Sequence, residues 1–489
     1  MSENAGPRPR PDGARPAGGT RSLSSSEAAA LLTRLVEAAP TDLLSGILAV
    51  LAAVDPPPDQ AARIDVITAA EKLKGAATAV QVRATVAFAS TQADRDRSRG
   101  VDPAATSQVV GAQVGLARRQ SPTSGSRFVG AARAWATEMP QTMTALTAGA
   151  TGERTATTMV AETAALSLAD RQAVDAEIGP RLGEMSHRRV GDAARAVAAR
   201  LDPDAVMRKI AMAEADRHVS VRPAPDAMVW VSALVPVAAG VAAFAALQRG
   251  WTKANRAGDS RGRGQYLADR LIELLTGRAA GSDVGVDIGL VMNETTLFGG
   301  DHTPARIEGY GPIPAELARR LAKGTSGQAA PGARERRRGR SWIRRFYTHP
   351  KSGALVGMDS KARCFTGALR DLVIIRDQRC RTPFCDAPIR HADHLVPARC
   401  DGVTAIGNGQ GLCERCNYTK EHPDWHTTRA ENPSTGHHSS RITTPTGHTY
   451  DSTAPPILGQ GAERADPSRI KARTTPPRRD TTTSASPAA

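Results

Sequence analysis

The residues best suited to chemistry lie in one stretch near the C-terminal end of the chain, CRTPFCDAPIRHADHLVPARCDGVTAIGNGQGLCERCNYTKEHPDW, which runs from Cys380 to Trp425. It contains two close cysteine pairs, Cys380 with Cys385 and Cys413 with Cys416. Such spacings let paired thiolates reach one tetrahedral zinc ion. Four ordinary buried cysteines are the alternative, but free cysteines rarely recur at paired spacing. We therefore predict a structural Zn²⁺ site formed by all four.

The segment between the two cysteine pairs is too long for a simple zinc ribbon and holds polar residues of its own. Asp393 and His394 are adjacent, Asn408 follows them, and Asn417 comes directly after the second cysteine pair. Neighbouring side chains of a β-strand point to opposite faces. A strand here would turn one member of the Asp-His pair toward a metal and the other toward substrate.

The order C-x4-C, D-H, two asparagines and L-C-x-x-C-N-x-x-K resembles the HNH endonucleases of the ββα-metal fold that carry four zinc-binding cysteines. The resemblance covers about Lys361 to His426 and includes Leu412 and Lys420. It implies that Asp393 and Asn417 bind a catalytic Mg²⁺, that His394 is the general base, and that Asn408 braces the catalytic loop.

Asn417 is a departure, because many members of that family have histidine at this position. An amide oxygen suits magnesium better than zinc or nickel. Three further histidines of the segment are weaker candidates for metal or phosphate contacts: His391, His422 and His426.

This residue set matches what phosphodiester hydrolysis requires. The reaction needs an activated water and a cation that stabilises charge on the phosphate and the leaving oxygen. An imidazole with a pKa near neutrality accepts the proton. The predicted function is a DNA endonuclease that uses a single Mg²⁺.

A non-catalytic, zinc-stabilised DNA-binding protein is the alternative, and it has no use for the D-H pair with both asparagines. An effector whose helical domain contacts a protein partner is compatible with the same site.

The composition agrees with a helical protein that binds nucleic acid. The 489-residue chain carries a formal net charge of +15, which attracts polyanions, and only 3% of its residues are aromatic. We predict DNA as the partner. Contacts with its phosphates are expected from Lys420 and from a basic run formed by Arg336, Arg337, Arg338 and Arg340. The alternative interpretation of this run is a solvated linker.

Compartment and membrane association follow from other features. Six cysteines are too few for a disulfide scaffold, and the first residues lack the apolar core of a signal peptide, so a cytoplasmic protein is expected. Residues Ala227 to Leu247 contain no charge, but Pro236 and Gly240 interrupt them. A buried strand followed by a buried helix is favoured there over a membrane span. We expect no membrane association and no organic cofactor.

The elements that must position the site fall into five predicted regions. These are a disordered tail (1–24), a mainly α domain with a small sheet, of the α+β class (25–325), a basic linker (326–340), the nuclease module with zinc knuckles and a preceding hairpin (341–428), and a disordered basic tail (429–489). Helical periodicity predicts helices that include Ala104–Ala117, Gly130–Ala148, Arg188–Ala198, Gln265–Leu275 and Ala362–Arg376. Period-two alternation predicts strands over His218–Val235 and Val284–Met292.

The helical domain also resembles a known family. Its stretches GLARRQSP from Gly115, ATGERTATTMVAETAALS from Ala150, and VSVRPAPDAMVWVSALVP from Val219 are similar to a domain of unknown function that precedes HNH modules in many actinobacterial proteins. The resemblance implies no catalytic residue in this domain.

Overall fold

The computed structural model describes residues 39–277, 290–298, 300–323, 364–430 and 437–456. Over these residues the chain is mostly helical with small antiparallel sheets. The chain divides into two compact units, residues 1–71 and 72–489. The basic linker, the predicted hairpin within residues 342–359 and the four arginines of the basic run lie outside the described residues, as do residues 1–24 and 457–489.

The first unit contains helix α1 (Pro40–Ala52) and the start of helix α2 (Gln60–Ser98). Proline in the first turn of α1 suits a helix start, because the amide it lacks would have no partner there. None of the residues of α1 is buried.

The remainder of α2 and six following helices build one apolar core in the second unit. These helices are α3 (Pro103–Ala117), α4 (Pro122–Thr137), α5 (Pro140–Thr147), α6 (Glu153–Glu162), α7 (Leu168–Ile178) and α8 (His187–Leu201). Proline begins three of them, and side-chain caps from Asp102 and Ser121 satisfy amides at the starts of α3 and α4. Trp135, Met159 and Val190 are fully buried in this core.

Helices α3 and α4 cross through glycines. A Cβ atom on Gly125 would lie 2.1 Å from the carbonyl oxygen of Gly111 and 2.5 Å from the amide nitrogen of Gly115. No larger residue fits at Gly125 without moving a backbone.

The helix predicted over Gly130–Ala148 is wrong as one element, because Pro140 ends α4 and starts α5. The other helices predicted for this region are present with shifted ends. Helix α9 (Pro203–Ala215), which follows α8 directly, was not predicted.

A hairpin of strands β1 (His218–Ala224) and β2 (Met228–Leu234) comes next, followed by helices α10 (Val237–Arg256) and α11 (Arg263–Thr276). Ala227–Leu247 form a strand followed by a helix, as predicted, but the prediction that both elements are buried is wrong, because neither β2 nor α10 contains a buried residue. No helix in the described part of the chain combines the length and apolar character that a bilayer span needs.

A small three-stranded sheet then precedes the C-terminal module. It contains β3 (Leu290–Val291), β4 (Ala305–Ile307) and β5 (Gly311–Ile313), with helices α12 (Glu294–Phe298) and α13 (Ala315–Lys323). Residues 290–292 are the described part of the strand predicted over Val284–Met292, and Leu290 and Val291 of these form β3.

The C-terminal module begins with helix α14 (Gly367–Asp377), followed by the antiparallel pair β6 (His391–His394) and β7 (Gly409–Leu412) and the short helix α15 (Glu414–Thr419). A second sheet follows, with β9 (Ser439–Thr443) between β8 (His426–Ala430) and β10 (Thr449–Thr453). The prediction that residues 429–489 are disordered is therefore wrong for these three strands. Their buried residue Ile442 packs against α3 and Trp425, which a sequence pattern of Thr, Ser and Arg does not indicate.

Candidate functional site

The four predicted zinc ligands form one buried cluster. Every pair of sulfur atoms among Cys380, Cys385, Cys413 and Cys416 lies within 4.8 Å. The Sγ atom of Cys385 is 3.9 Å from that of Cys413 and 3.7 Å from that of Cys416. A tetrahedral site with Zn–S bonds of about 2.3 Å has sulfur–sulfur edges of about 3.8 Å. The cluster is positioned to hold a metal ion, and its geometry is consistent with structural zinc.

The ionisation of the four thiols also favours a bound cation. Hydrogen bonds from Cys380 and the other thiols lower the pKa of Cys413 far below its ordinary value, and the same neighbours raise the pKa of Cys416. The thiols thus oppose one another's ionisation, since several adjacent thiolates repel. A bound dication removes that conflict by neutralising the thiolates together.

Strands β6 and β7 hold the Asp-His pair. Asp393 pairs with Gln410 and His394 with Gly409. The imidazole of His394 is buried, 4.8 Å from the ring of Phe365 between centroids. A Cβ atom at Gly409 would lie 2.7 Å from the Phe365 ring, so glycine opposite His394 leaves room for that ring.

One nitrogen of His394 has a specific partner that the sequence did not reveal. Its Nε2 lies 2.9 Å from the hydroxyl oxygen of Thr404, which is also buried. Its Nδ1 lies 3.8 Å from a carboxylate oxygen of Asp393. The hydroxyl contacts one edge of the imidazole, and Nδ1 has no hydrogen-bond partner among the described residues.

Asn408 closes the loop between β6 and β7. Its Oδ1 accepts a hydrogen bond of 2.9 Å from the amide of Val396, and its Nδ2 donates to the carbonyl oxygens of Val396 and Val403 at 3.0 and 2.9 Å. A Cβ atom at Gly402 would lie 1.8 Å from the Val396 carbonyl oxygen, so the loop is tightly folded. The side chain of Asn408 thus ties together the two ends of this loop.

A buried ion pair behind the hairpin also escaped the sequence interpretation. Arg376 and Asp377 end helix α14 and contact each other at 2.7 Å. The guanidinium of Arg376 donates to the carbonyl oxygens of Ile406 and Gly409, and Asp377 accepts from the amide of Gly411 at 2.7 Å. The signal in the sequence is that Arg376 continues the apolar face of Leu369 and Leu372, where a charged residue requires a buried partner.

Asp393 already faces a cation. One of its carboxylate oxygens lies 2.7 Å from the ammonium nitrogen of Lys420, which also contacts Glu421. Burial lowers the pKa of Lys420, but hydrogen bonds to these two carboxylates outweigh it and the net pKa is raised. Lys420, which the sequence assigned to phosphate contacts, is therefore mostly buried and paired with a candidate metal ligand.

Asn417 supplies the other candidate ligand from helix α15, which packs against β6 and β7. Its Oδ1 atom is buried and accepts no hydrogen bond from the described residues. A buried amide oxygen without a donor is costly unless a cation or water satisfies it. The donor set of Asp393 and Asn417 fits a hard, oxygen-preferring ion such as Mg²⁺.

The remaining histidines lie in different surroundings. His391 is half-buried, with its ring 6.4 Å from that of Tyr418 between centroids. His426 is exposed on β8. His422 is buried and faces Asp96 of helix α2 rather than the hairpin, so it is not a reserve ligand of the candidate site.

Comparison with known proteins bears on the helical part of the chain. No curated protein and no solved structure was found that matches the chain. A family model described as Domain of unknown function (DUF222) matches residues 61–336, more than half of the chain. The chain belongs to this DUF222 family.

Proposed function

We propose that this protein is a metal-dependent DNA endonuclease of the HNH type whose active site is the β6–β7 hairpin and helix α15. The observation that carries the proposal is one arrangement of side chains. A buried imidazole, oriented by Thr404, follows Asp393 directly, and the second strand of the hairpin leads into the helix that contains Asn417.

Each residue has a role that follows from its surroundings. His394 accepts the proton of the attacking water through the nitrogen that Thr404 leaves free. Asp393 and Asn417 hold Mg²⁺ through a carboxylate and an amide oxygen. When bound, Mg²⁺ supplies charge stabilisation for the phosphate and the leaving oxygen. Asn408 holds the loop between β6 and β7 in one conformation, and this loop keeps His394 and Asp393 in position.

Lys420 supports the site in a second way. Its ammonium group neutralises Asp393 in the absence of substrate. A phosphate is an alternative acceptor for that ammonium group, so substrate entry would release the carboxylate for metal binding.

DNA as the substrate class rests on charge. The net charge of +15 favours binding of a polyanion. A non-catalytic, zinc-stabilised DNA-binding protein is the alternative, and the experiment must distinguish it from an endonuclease.

The first prediction is that zinc-loaded full-length protein relaxes or linearises supercoiled plasmid in the presence of Mg²⁺ and not without it. His394→Ala should lower the cleavage rate by about 10²- to 10⁴-fold, the range typical of loss of a general base. The matched control is His426→Ala, which removes an exposed histidine of the same module and should cleave at the wild-type rate.

Plasmid that is bound by wild-type protein but never cut at any magnesium concentration would support the DNA-binding alternative. Equal cleavage by His394→Ala and His426→Ala would show that the general base has been misassigned.

A further inference from the structure

We propose that the helical domain of this chain is a fixed scaffold for the zinc-bearing module, and that His422 is the residue through which the module docks on it. The docking surface is the last turns of α2 and one face of α3, residues 92–116. This surface lies within the part of the chain that the family model matches, 61–336, whereas its partner lies outside that part. The inference does not depend on nuclease activity.

The interface contains a buried polar contact. The buried stripe of α2 runs through Val82, Thr85 and Ala89 and ends in two polar residues, Gln92 and Asp96. Asp96 is 0% exposed. A buried carboxylate requires hydrogen-bond donors, because leaving it unpaired is costly.

Asp96 receives donors from both domains. Gln92 donates to one carboxylate oxygen at 2.8 Å, and the Nε2 atom of His422 lies 3.3 Å from the other. The amide of Asp424 donates to Nδ1 of His422 at 3.3 Å, so Nε2 carries the hydrogen that Asp96 accepts. A neutral imidazole is sufficient for this contact.

An apolar contact lies beside the polar one. Trp425 is buried with Ile442 of the module against Val109, Ala112 and Leu116 of α3. Burial of an indole ring against aliphatic side chains is the kind of contact that dominates the energy of protein interfaces.

Further polar contacts surround this apolar centre. Asp424 forms ion pairs with Arg95 and Arg99, and the hydrogen bond from Arg99 lowers the pKa of Asp424. Gln113 of α3 accepts hydrogen bonds from the amide and hydroxyl of Thr446 at 3.3 and 2.9 Å.

The docked segment His422–Trp425 follows shortly after helix α15, which contains Cys416, the last cysteine of the zinc cluster. Helix α15 contacts α3, and Arg415 hydrogen-bonds the hydroxyl of Ser126 in α4. The helical domain therefore restrains the helix that carries Cys416, Asn417 and Thr419.

The test compares two substitutions at His422 in the full-length, zinc-loaded protein. His422→Leu fills a similar space but leaves Asp96 without a donor from the module, whereas His422→Gln keeps an N–H donor. Asp451→Asn is the charge-matched control for Asp96→Asn, because the Asp451–Arg441 ion pair is exposed to solvent. The measurement is hydrogen exchange by peptide, together with the rate of zinc release to a chelating dye.

We expect His422→Leu and Asp96→Asn to accelerate exchange in residues 92–99 and 413–425, and zinc release, by roughly tenfold or more. His422→Gln should lie nearer the wild type, and Asp451→Asn should equal it. Peptides around Trp135 should keep their protection in every variant. If Asp96→Asn does not fold, the two His422 variants decide the matter.

Wild-type exchange in His422→Leu would overturn the proposal. So would acceleration spread evenly over the whole chain, including the core around Trp135, because that pattern means general destabilisation and not loss of docking.

Discussion

The hydroxyl of Thr404 offers a prediction at the scale of single residues. Thr404→Val keeps the shape of the side chain but removes the partner of His394 Nε2. Under the proposed mechanism the imidazole loses its fixed orientation, and the loss of one buried hydrogen bond corresponds to about a tenfold lower kcat for plasmid cleavage. The KM for DNA should not change, because Thr404 is buried and exposes little surface for contact with DNA.

Thr404→Ser supplies the control, since it restores the hydroxyl without the methyl group. It should recover most of the cleavage rate. A wild-type rate in Thr404→Val together with a defect in Thr404→Ser would mean that packing of the methyl group matters and that the hydrogen bond does not.

At the scale of elements, the buried pair at the end of α14 should hold the β6–β7 hairpin in place. Asp377→Asn leaves the guanidinium of Arg376 without its carboxylate and weakens the acceptor of the Gly411 amide. Removing one partner of a buried ion pair costs about 3–5 kcal/mol. We expect the free energy of unfolding of the C-terminal module, measured with urea, to fall by an amount in this range.

The matched control is Asp371→Asn, a carboxylate of the same helix that is only half-buried. A similar loss of stability in both variants would show that helix α14, and not the ion pair, determines the result.

How far the elements were predictable depends on where their stabilising contacts lie. The start of α3 at Pro103 was predicted to within one residue, whereas the start of α4 at Pro122 was missed because the predicted helix began at Gly130. The paired cysteines indicate the cluster through spacing alone. The sheet β8–β10 gives no such pattern, because its strands are polar and its main apolar residue, Ile442, packs on a helix more than 300 positions earlier. The hydrogen bond from His422 to Asp96 was missed for the same reason.

At the scale of the whole molecule, two separate cores share one interface. The core around Trp135 contains no residue from the C-terminal module, whereas Trp425 and Ile442 complete the covering of α3. The predicted basic linker therefore separates the helical domain from the C-terminal module along the sequence, but the two pack against each other in the structure. Unfolding of the C-terminal module should affect the helical domain only at the end of α2, along α3 and at the start of α4.

Removal of the metal site tests this organisation. Cys413→Ser removes one of four thiolates that hold the cluster, and structural zinc supplies much of the folding energy of small zinc modules. We expect purified wild-type protein to contain close to one zinc per chain and the variant to contain little. Hydrogen exchange should show loss of protection in residues 380–425 and in residues 109–116, which lose the covering of Trp425. Peptides around Trp135 should stay protected, because their contacts are internal to the helical domain.

Cys400→Ser, a change at an exposed cysteine outside the cluster, should leave zinc content and exchange unaltered. Full protection of residues 380–425 in zinc-free Cys413→Ser would contradict the structural role of the metal, and unfolding of the Trp135 core would contradict the independence of the two cores.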